Sequence, residues 1–274
     1  MPAAQDFHFT HLTWNPLRLF SKRFFGNLNW LLTRKEAFST AQLEPIAPLL
    51  RDLKVDLVLL GGDFTTTSMP EEFEKAKTWI GQISQPWVAI PGNHDHYTRT
   101  SYRTKRYYRY FPQDNLAKEG VAVHPLSKEW TLIVLDTARA TPPHSSEGLL
   151  SERLEARLEE ILKTIETPII LFNHYPFFQN DLPSRRLTRG EALEKLLRRN
   201  PQIRLYLHGH THRHTIANLQ PGGLPLVLDS GSAAQGTKGS WNLIDLTTAG
   251  CTVTGYRWNQ QWAPFRKEEI LWTR

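Results

Sequence analysis

The stretch Asp56-Leu57-Val58-Leu59-Leu60-Gly61-Gly62-Asp63 carries the pattern on which the fold turns: an apolar run, a glycine pair and a carboxylate. A short run of this kind, closed by glycine, reads as a strand buried on both faces. The pattern recurs along the chain. Trp87-Val88-Ala89-Ile90 runs into Pro91-Gly92-Asn93-His94-Asp95, Ile169-Ile170-Leu171-Phe172 into Asn173-His174, and 203–207 into His208-Gly209-His210-Thr211-His212. Helical periodicity fills the intervals at 41–53, 70–83, 97–111, 149–166 and 189–199. Strands alternating with helices predict an α/β fold with much parallel pairing. Ligands in such sheets gather beyond the carboxyl ends of the strands, where these polar clusters fall.

The last sixty residues change character. Segments 214–219, 224–229, 241–246 and 251–258 are short, β-rich and separated by Gly/Pro turns. A second, more antiparallel sheet packed on the first accounts for them, giving a layered α/β/β/α sandwich of two mixed sheets with outer helices. No repeat, low-complexity tract or Gly/Ser linker interrupts residues 1–274, which read as one domain. With 40% hydrophobic and 22% charged residues, the chain has the means to bury a sizeable core. Its net charge of +6 and pI near 9.4 suit anionic partners. Cys251 is the only cysteine, which excludes an intramolecular disulfide or a thiolate metal cluster and favours a reducing compartment. No apolar run approaches the roughly 20 residues that span a bilayer, and the N-terminus lacks a signal-peptide pattern. The expectation is a cytoplasmic protein, soluble or peripherally bound.

His94, His96, His174, His208, His210, His212 and His214 are seven of the eleven histidines, all in short segments after predicted strands. A lone histidine there is more often a cap or a satisfied turn residue, and alternate histidines from 208 to 214 fit one exposed strand face. The joint pattern points elsewhere. Asp63, Asn93, His94, His174, His210 and His212 occupy four loops, each flanked by Gly or Pro, and glycine lets the following side chain turn back into a cleft. Phosphate ester hydrolysis needs a nucleophile at neutral pH and neutralisation of phosphoryl charge. Two divalent ions roughly 3.5–4 Å apart supply both. Imidazole with carboxylate suits Mn, Fe or Zn rather than Mg or Ca.

In order, Gly62-Asp63, Gly92-Asn93-His94-Asp95, His174 and Gly209-His210-Thr211-His212 resemble the motifs of the calcineurin-like metallophosphoesterases, over roughly residues 5–246. The resemblance implies two metals, Mn foremost, bridged by Asp63. Asn93, His174 and His210 would complete one site and His212 would ligate the other. His94 would stabilise the transition state or protonate the leaving oxygen, with Asp95 orienting it. The family's opening Asp-x-His motif should follow the first strand. Phe7-His8-Phe9-Thr10-His11-Leu12-Thr13 reads as that strand, which puts Trp14 and Pro16 where the two ligands belong. Either a short stretch is absent between Thr13 and Trp14, or half of one metal site is missing. His8, His11, His124 and His144 receive no role, while His96, His208 and His214 are read as supporting or solvent-facing. Asp136 is either buried beneath the site or a turn carboxylate.

Two further segments bear on the substrate. About residues 16–35, Leu17, Phe20, Phe24, Leu28 and Leu31 recur at helical spacing beside Arg18, Lys22, Arg23, Arg34 and Lys35, as in segments that lie on anionic membranes. Just after the Asn93-His94-Asp95 motif, Arg99, Arg103 and Arg106, with Tyr97, are candidate substrate-binding residues; a solvated basic helix is the plain alternative. Phe25-Gly26-Asn27-Leu28-Asn29-Trp30-Leu31-Leu32, Gly61-Gly62-Asp63-Phe64-Thr65-Thr66-Thr67, Pro91-Gly92-Asn93-His94-Asp95-His96-Tyr97 and Asn173-His174-Tyr175-Pro176-Phe177-Phe178 look like the chlamydial-type UDP-2,3-diacylglucosamine pyrophosphohydrolases. That resemblance implies hydrolysis of a lipid-linked nucleotide sugar to UMP and 2,3-diacylglucosamine 1-phosphate in lipid A synthesis. Metal-bound hydroxide would attack phosphorus at the cytoplasmic membrane face, with no nucleic acid partner. The alternatives are a soluble metallophosphodiesterase acting on small metabolites, a nuclease, and a catalytically degenerate member of the fold.

Overall fold

The computed structural model describes residues 1–13, 15, 22–29, 38–178 and 181–273. Two six-stranded mixed sheets form its frame. The first has the order β14 (Gln261–Leu271), β13 (Gly250–Asn259), β12 (Ser240–Leu246), β1 (Pro2–Ala4), β2 (Val58–Leu60) and β3 (Trp87–Ala89). The second has the order β10 (His214–Asn218), β11 (Leu226–Ser230), β9 (Ile203–His208), β7 (Ile169–Phe172), β5 (Thr131–Leu135) and β4 (Val121–Pro125). β1, β2 and β3 run parallel, as do β5, β7, β9 and β11, while β4, β10 and the run β12–β14 pair antiparallel. A two-residue pair, β6 (Gly148–Leu149) with β8 (Leu187–Thr188), stands apart.

Period-2 alternation sorts each apolar run between two layers. Leu59 of β2, Leu132 and Val134 of β5, Ile170 and Phe172 of β7, and Leu205 and Leu207 of β9 meet in a central cluster between the sheets. Val58 and Leu60 face outward against α2 (Ile46–Asp52) and α3 (Pro70–Ile80). Ile133, Leu135, Ile169, Leu171 and Tyr206 face the other way, against α7 (Glu152–Leu162) and α8 (Gly190–Arg199). These three apolar layers make the α/β/β/α sandwich expected from the sequence.

Three expectations change. The terminal strands do not form a sheet of their own: β10 and β11 extend the sheet of β9, whereas β12 to β14 pair outward from β1. Residues 7–13 are not the first strand; β1 is Pro2–Ala4, and beyond it a parallel bridge joins Phe9 to Thr65. The helical stretch 97–111 breaks at Lys105, whose φ of 49° is left-handed, giving α4 (Arg99–Arg103) and α5 (Arg106–Tyr110) before α6 (Asp114–Glu119). Within the basic segment 16–35, residues 16–21 and 30–35 lie outside the described residues. The described part holds α1 (Arg23–Asn29), whose Gly26 packs against Tyr97 and Thr67. Among the described residues no helix is long and apolar enough to cross a membrane.

Cys251, on β13, packs in the central layer, and burial pushes its thiol up to about 12. In native protein at pH 8 it should react with an aromatic disulfide reagent at least about a hundredfold more slowly than a free thiol. One thiol per chain should appear once the protein is denatured. Rapid titration of the native protein would contradict the packing of β13.

Candidate metal centre

The loop after β2 and the loop after β3 are interlocked. Gly62 has φ of 90°, and a Cβ there would collide with the Gly92 backbone; one on Gly92 would collide with Asp63. Asp63 is itself left-handed, with φ of 53°, and its Oδ1 accepts from the His94 backbone N–H at 2.8 Å. Asp95 fastens both loops from beneath. Its carboxylate accepts from the N–H groups of Gly92 (3.0 Å), Thr65 (3.0 Å) and Phe64 (3.3 Å), and from the Thr65 hydroxyl (3.1 Å). Burial, with the charge of Asp63, raises its pKa to about 7. Asp95 therefore holds the backbone of both loops. The His94 ring donates Nδ1–H to the Thr66 carbonyl at 2.6 Å.

The chain leaving β1 zips onto the first of these loops. Asp6 N–H donates to Gly62 O (3.0 Å), Phe7 and His8 N–H to Asp63 O (3.0 and 2.9 Å), and Phe9 N–H to Phe64 O (2.8 Å). Asp6 and His8, both left-handed at φ 56° and 50°, are thus carried to Asp63. One ligating atom from each of Asp6, His8, Asp63 and His212 lies within 4.8 Å of the other three. His212 Nε2 is 3.5 Å from Asp6 Oδ1 and 3.4 Å from His8 Nε2. The Asp-x-His motif is therefore Asp6-Phe7-His8, not the positions of Trp14 and Pro16, both outside the described residues. No missing stretch after Thr13 has to be invoked.

A second set of donors meets Asp63 from the other side. His174 Nε2 is 3.7 Å from Asp63 Oδ2 and 3.4 Å from Asn93 Oδ1. His174 Nδ1–H donates to Gly61 O at 2.8 Å, so Nε2 carries the lone pair. The His210 ring lies 5.3 Å from that of His174 and donates Nε2–H to Arg185 O at 2.9 Å, leaving Nδ1 as its lone pair. Backbone carbonyls fixing tautomers in this way are the usual support of metal-ligating histidines. Burial, then the neighbouring His174 and His212, holds the His210 pKa well below the ordinary histidine value, so the ring stays neutral, as a ligand must. This donor set fits divalent ions on both sides of Asp63.

A cleft of about 270 Å³ opens over these residues. Lys22 reaches into it, its ammonium donating to Thr141 Oγ1 and Ser145 O, both at 2.9 Å. Burial lowers the Lys22 pKa to about 8. The ammonium lies 4.6 Å from the Tyr97 ring centre, and Tyr97 stacks on His94 at 5.6 Å. Of the four residues expected to bind substrate, Tyr97 lines the cleft. Arg106 donates to Ser68 O (2.7 Å), Arg103 lines a separate pocket, and Arg99 lies on exposed α4. His144 lines the cleft, although the sequence offered no reason to choose it. His208 is buried beside Asp229 (3.5 Å), His214 bonds Asn242 Oδ1 (2.7 Å), and His96 lies 3.4 Å from Asp136.

Comparisons with known proteins agree with this geometry. The family model of the calcineurin-like phosphoesterases matches residues 6–214, beginning at Asp6 itself. A probable cyclic nucleotide phosphodiesterase of Synechococcus sp. is 26% identical over 182 residues, 65% of each chain. A probable glycerophosphodiester phosphodiesterase of Arcobacter nitrofigilis is 28% identical over 165 residues, 58% of each chain. The matches thus span less than two thirds of either relative's length. In fold, a dimetal phosphatase from Danio rerio superposes with a TM-score of 0.70 at 13% identity, over 99% of this chain and 98% of that one. A purple acid phosphatase from yellow lupin gives 0.65 at 12% identity, over 98% of this chain and 53% of that one. With two donor sets meeting at Asp63 and a family match from Asp6 to His214, the chain belongs to the calcineurin-like phosphoesterases.

Proposed function

We propose that the protein is a phosphodiesterase acting on small phosphodiesters at a two-metal centre. Asp6, His8, Asp63 and His212 would hold one ion, and Asp63, Asn93, His174 and His210 the other, with Mn the first candidate and Fe or Zn compatible with the same donors. The observation that carries this reading is Asp63, whose carboxylate stands among both donor sets. Such ions supply Lewis acidity toward phosphoryl oxygens and lower the pKa of water. The chain's own contribution is positional. Asn93 and the histidines fix the donors, and His94, with Nδ1–H tied to Thr66 O, presents Nε2 to a phosphoryl or leaving-group oxygen. In the cleft Tyr97 stacks on the His94 ring, and the Lys22 ammonium lies over Tyr97. The relatives named as cyclic nucleotide and glycerophosphodiester phosphodiesterases support a small diester as substrate.

A second reading keeps UDP-2,3-diacylglucosamine as substrate, with the protein peripheral on the cytoplasmic membrane face. It is favoured by one feature: α1, which follows Lys22, leaves Phe24 and Leu28 exposed at 49% and 41%, apolar area that suits acyl chains.

The two readings separate in one assay. Chelated protein restored with Mn should release product from bis(p-nitrophenyl) phosphate or a glycerophosphodiester without detergent. UMP release confined to UDP-diacylglucosamine in micelles would favour the second reading, and no turnover of any diester or pyrophosphate would sink both. His94→Ala should lower kcat by about 10²–10⁴-fold with metal retained; loss of metal in that variant would make His94 a ligand. Asp63→Ala should lose both metals and all activity, and an active Asp63→Ala variant would refute the shared carboxylate.

A further inference from the structure

A pocket of about 440 Å³ lies beside the metal cleft and shares no lining residue with it. It sits between α4, α5 and α6, the carboxyl end of β5 and the start of α7. Five cations line it, Arg103, Lys105, Lys118, Arg139 and Arg153, against the acids Asp136 and Glu119. Glu119 is already paired with Arg153 at 3.2 Å, and Arg139 with Glu147 at 2.8 Å. Asp136 accepts from the Tyr108 hydroxyl (2.5 Å) and the Ala138 N–H (3.1 Å). Lys105 donates to the Ala117 carbonyl at 2.6 Å. Arg103 and Lys118 remain as exposed cations without an ion pair among the described residues. The balance favours an anion at that rim.

Below the rim the pocket is aromatic. His96 is 2% exposed, its Nδ1 has no hydrogen-bond partner among the described residues, and its ring meets the edge of Tyr102 at 5.2 Å. Tyr102 is 46% exposed, a ring available for stacking, and Tyr108 lines the wall beside it. Charge at the mouth, an aromatic wall and an unsatisfied buried nitrogen are the parts of a small-molecule site, and the volume lies in the range of such pockets. We propose that this pocket binds a phosphomonoester carried on a ring-bearing small molecule of mononucleotide size, separately from the metal cleft. Arg103 and Lys118 take the phosphate, the ring lies against Tyr102, and His96 Nδ1 meets a polar group of the ligand. Occupancy has a short route to the metal centre. His96 follows Asn93-His94-Asp95 directly, and Thr137, on the pocket wall, donates to Asn173 Oδ1 (2.6 Å), one residue before His174.

Calorimetric titration of chelated protein with AMP, adenosine and inorganic phosphate tests the proposal without recourse to activity. AMP should bind once per chain, at least tenfold more tightly than adenosine. The double variant Arg103→Ala/Lys118→Ala, at two exposed positions, should weaken AMP at least tenfold with an unchanged melting temperature. Lys22→Ala, in the metal cleft, should leave AMP affinity within twofold. Absence of AMP binding would overturn the proposal. So would wild-type affinity in the double variant, or loss of AMP binding in Lys22→Ala, which would put the nucleotide in the metal cleft.

Discussion

Three carboxylates, Asp6, Asp63 and Asp95, are buried together at 0%, 1% and 0% exposure, and the arrangement of the site follows from how their charge is met. An ionised group removed from water costs several kcal/mol unless donors or cations replace its hydration. Asp95 is met by three backbone N–H groups and a hydroxyl, and is still pushed up to about 7. Asp63 receives the His94 N–H, with His174 on one side. Asp6 Oδ1 faces His212 Nε2 at 3.5 Å. Divalent ions are the complement of that field, and the donor geometry around them is fixed in advance by backbone hydrogen bonds.

Fixing it depends on backbone curl and on the seam between the sheets. Asp6, His8, Asp63, His210 and His212 all have positive φ, a conformation that costs about 1 kcal/mol or more for a non-glycine residue and gathers at functional sites. Each curl turns a side chain from its strand end back over the sheet edge. Donors arrive from β1, β2 and β3 of one sheet and from β7 and β9 of the other, so the sheets must stay in register with each other. Gln5 serves that need: its amide donates to His208 O (2.6 Å) and Asp229 Oδ1 (3.1 Å) across the seam. Gly61 and Gly209 make room for it, since a Cβ on either would collide with its side chain.

Much of this was legible in the sequence because long apolar runs announce parallel strands and Gly-flanked polar residues announce their ends. The runs before Asp63, Asn93, His174 and His210 have that form, and the structure brings these residues together. The Asp6-Phe7-His8 motif escaped because β1 is only Pro2–Ala4, too short and too lacking in branched residues to read as a strand. Its signal was the Asp-x-His spacing itself, hidden by the aromatic run from Phe7. β14 escaped for a related reason. Its sequence, Gln-Trp-Ala-Pro-Phe-Arg-Lys-Glu-Glu-Ile-Leu, is that of a charged edge strand with no apolar run. The basic residues of 97–111 could not be assigned from periodicity, because the break at Lys105 turns Arg103 toward one pocket and Arg106 toward a backbone carbonyl. Tyr97 meets His94, and Lys22 meets Tyr97, through tertiary packing, which no local pattern records.

The most direct test of the central claim is the metal content of the protein after chelation and equilibration with Mn, measured by atomic emission for the wild type and for Asp6→Asn/His8→Ala. Two ions per chain in the wild type and one in the variant is the predicted result. A single ion in the wild type, or two retained in the variant, would contradict a centre in which Asp6 and His8 complete the second set of ligands around Asp63.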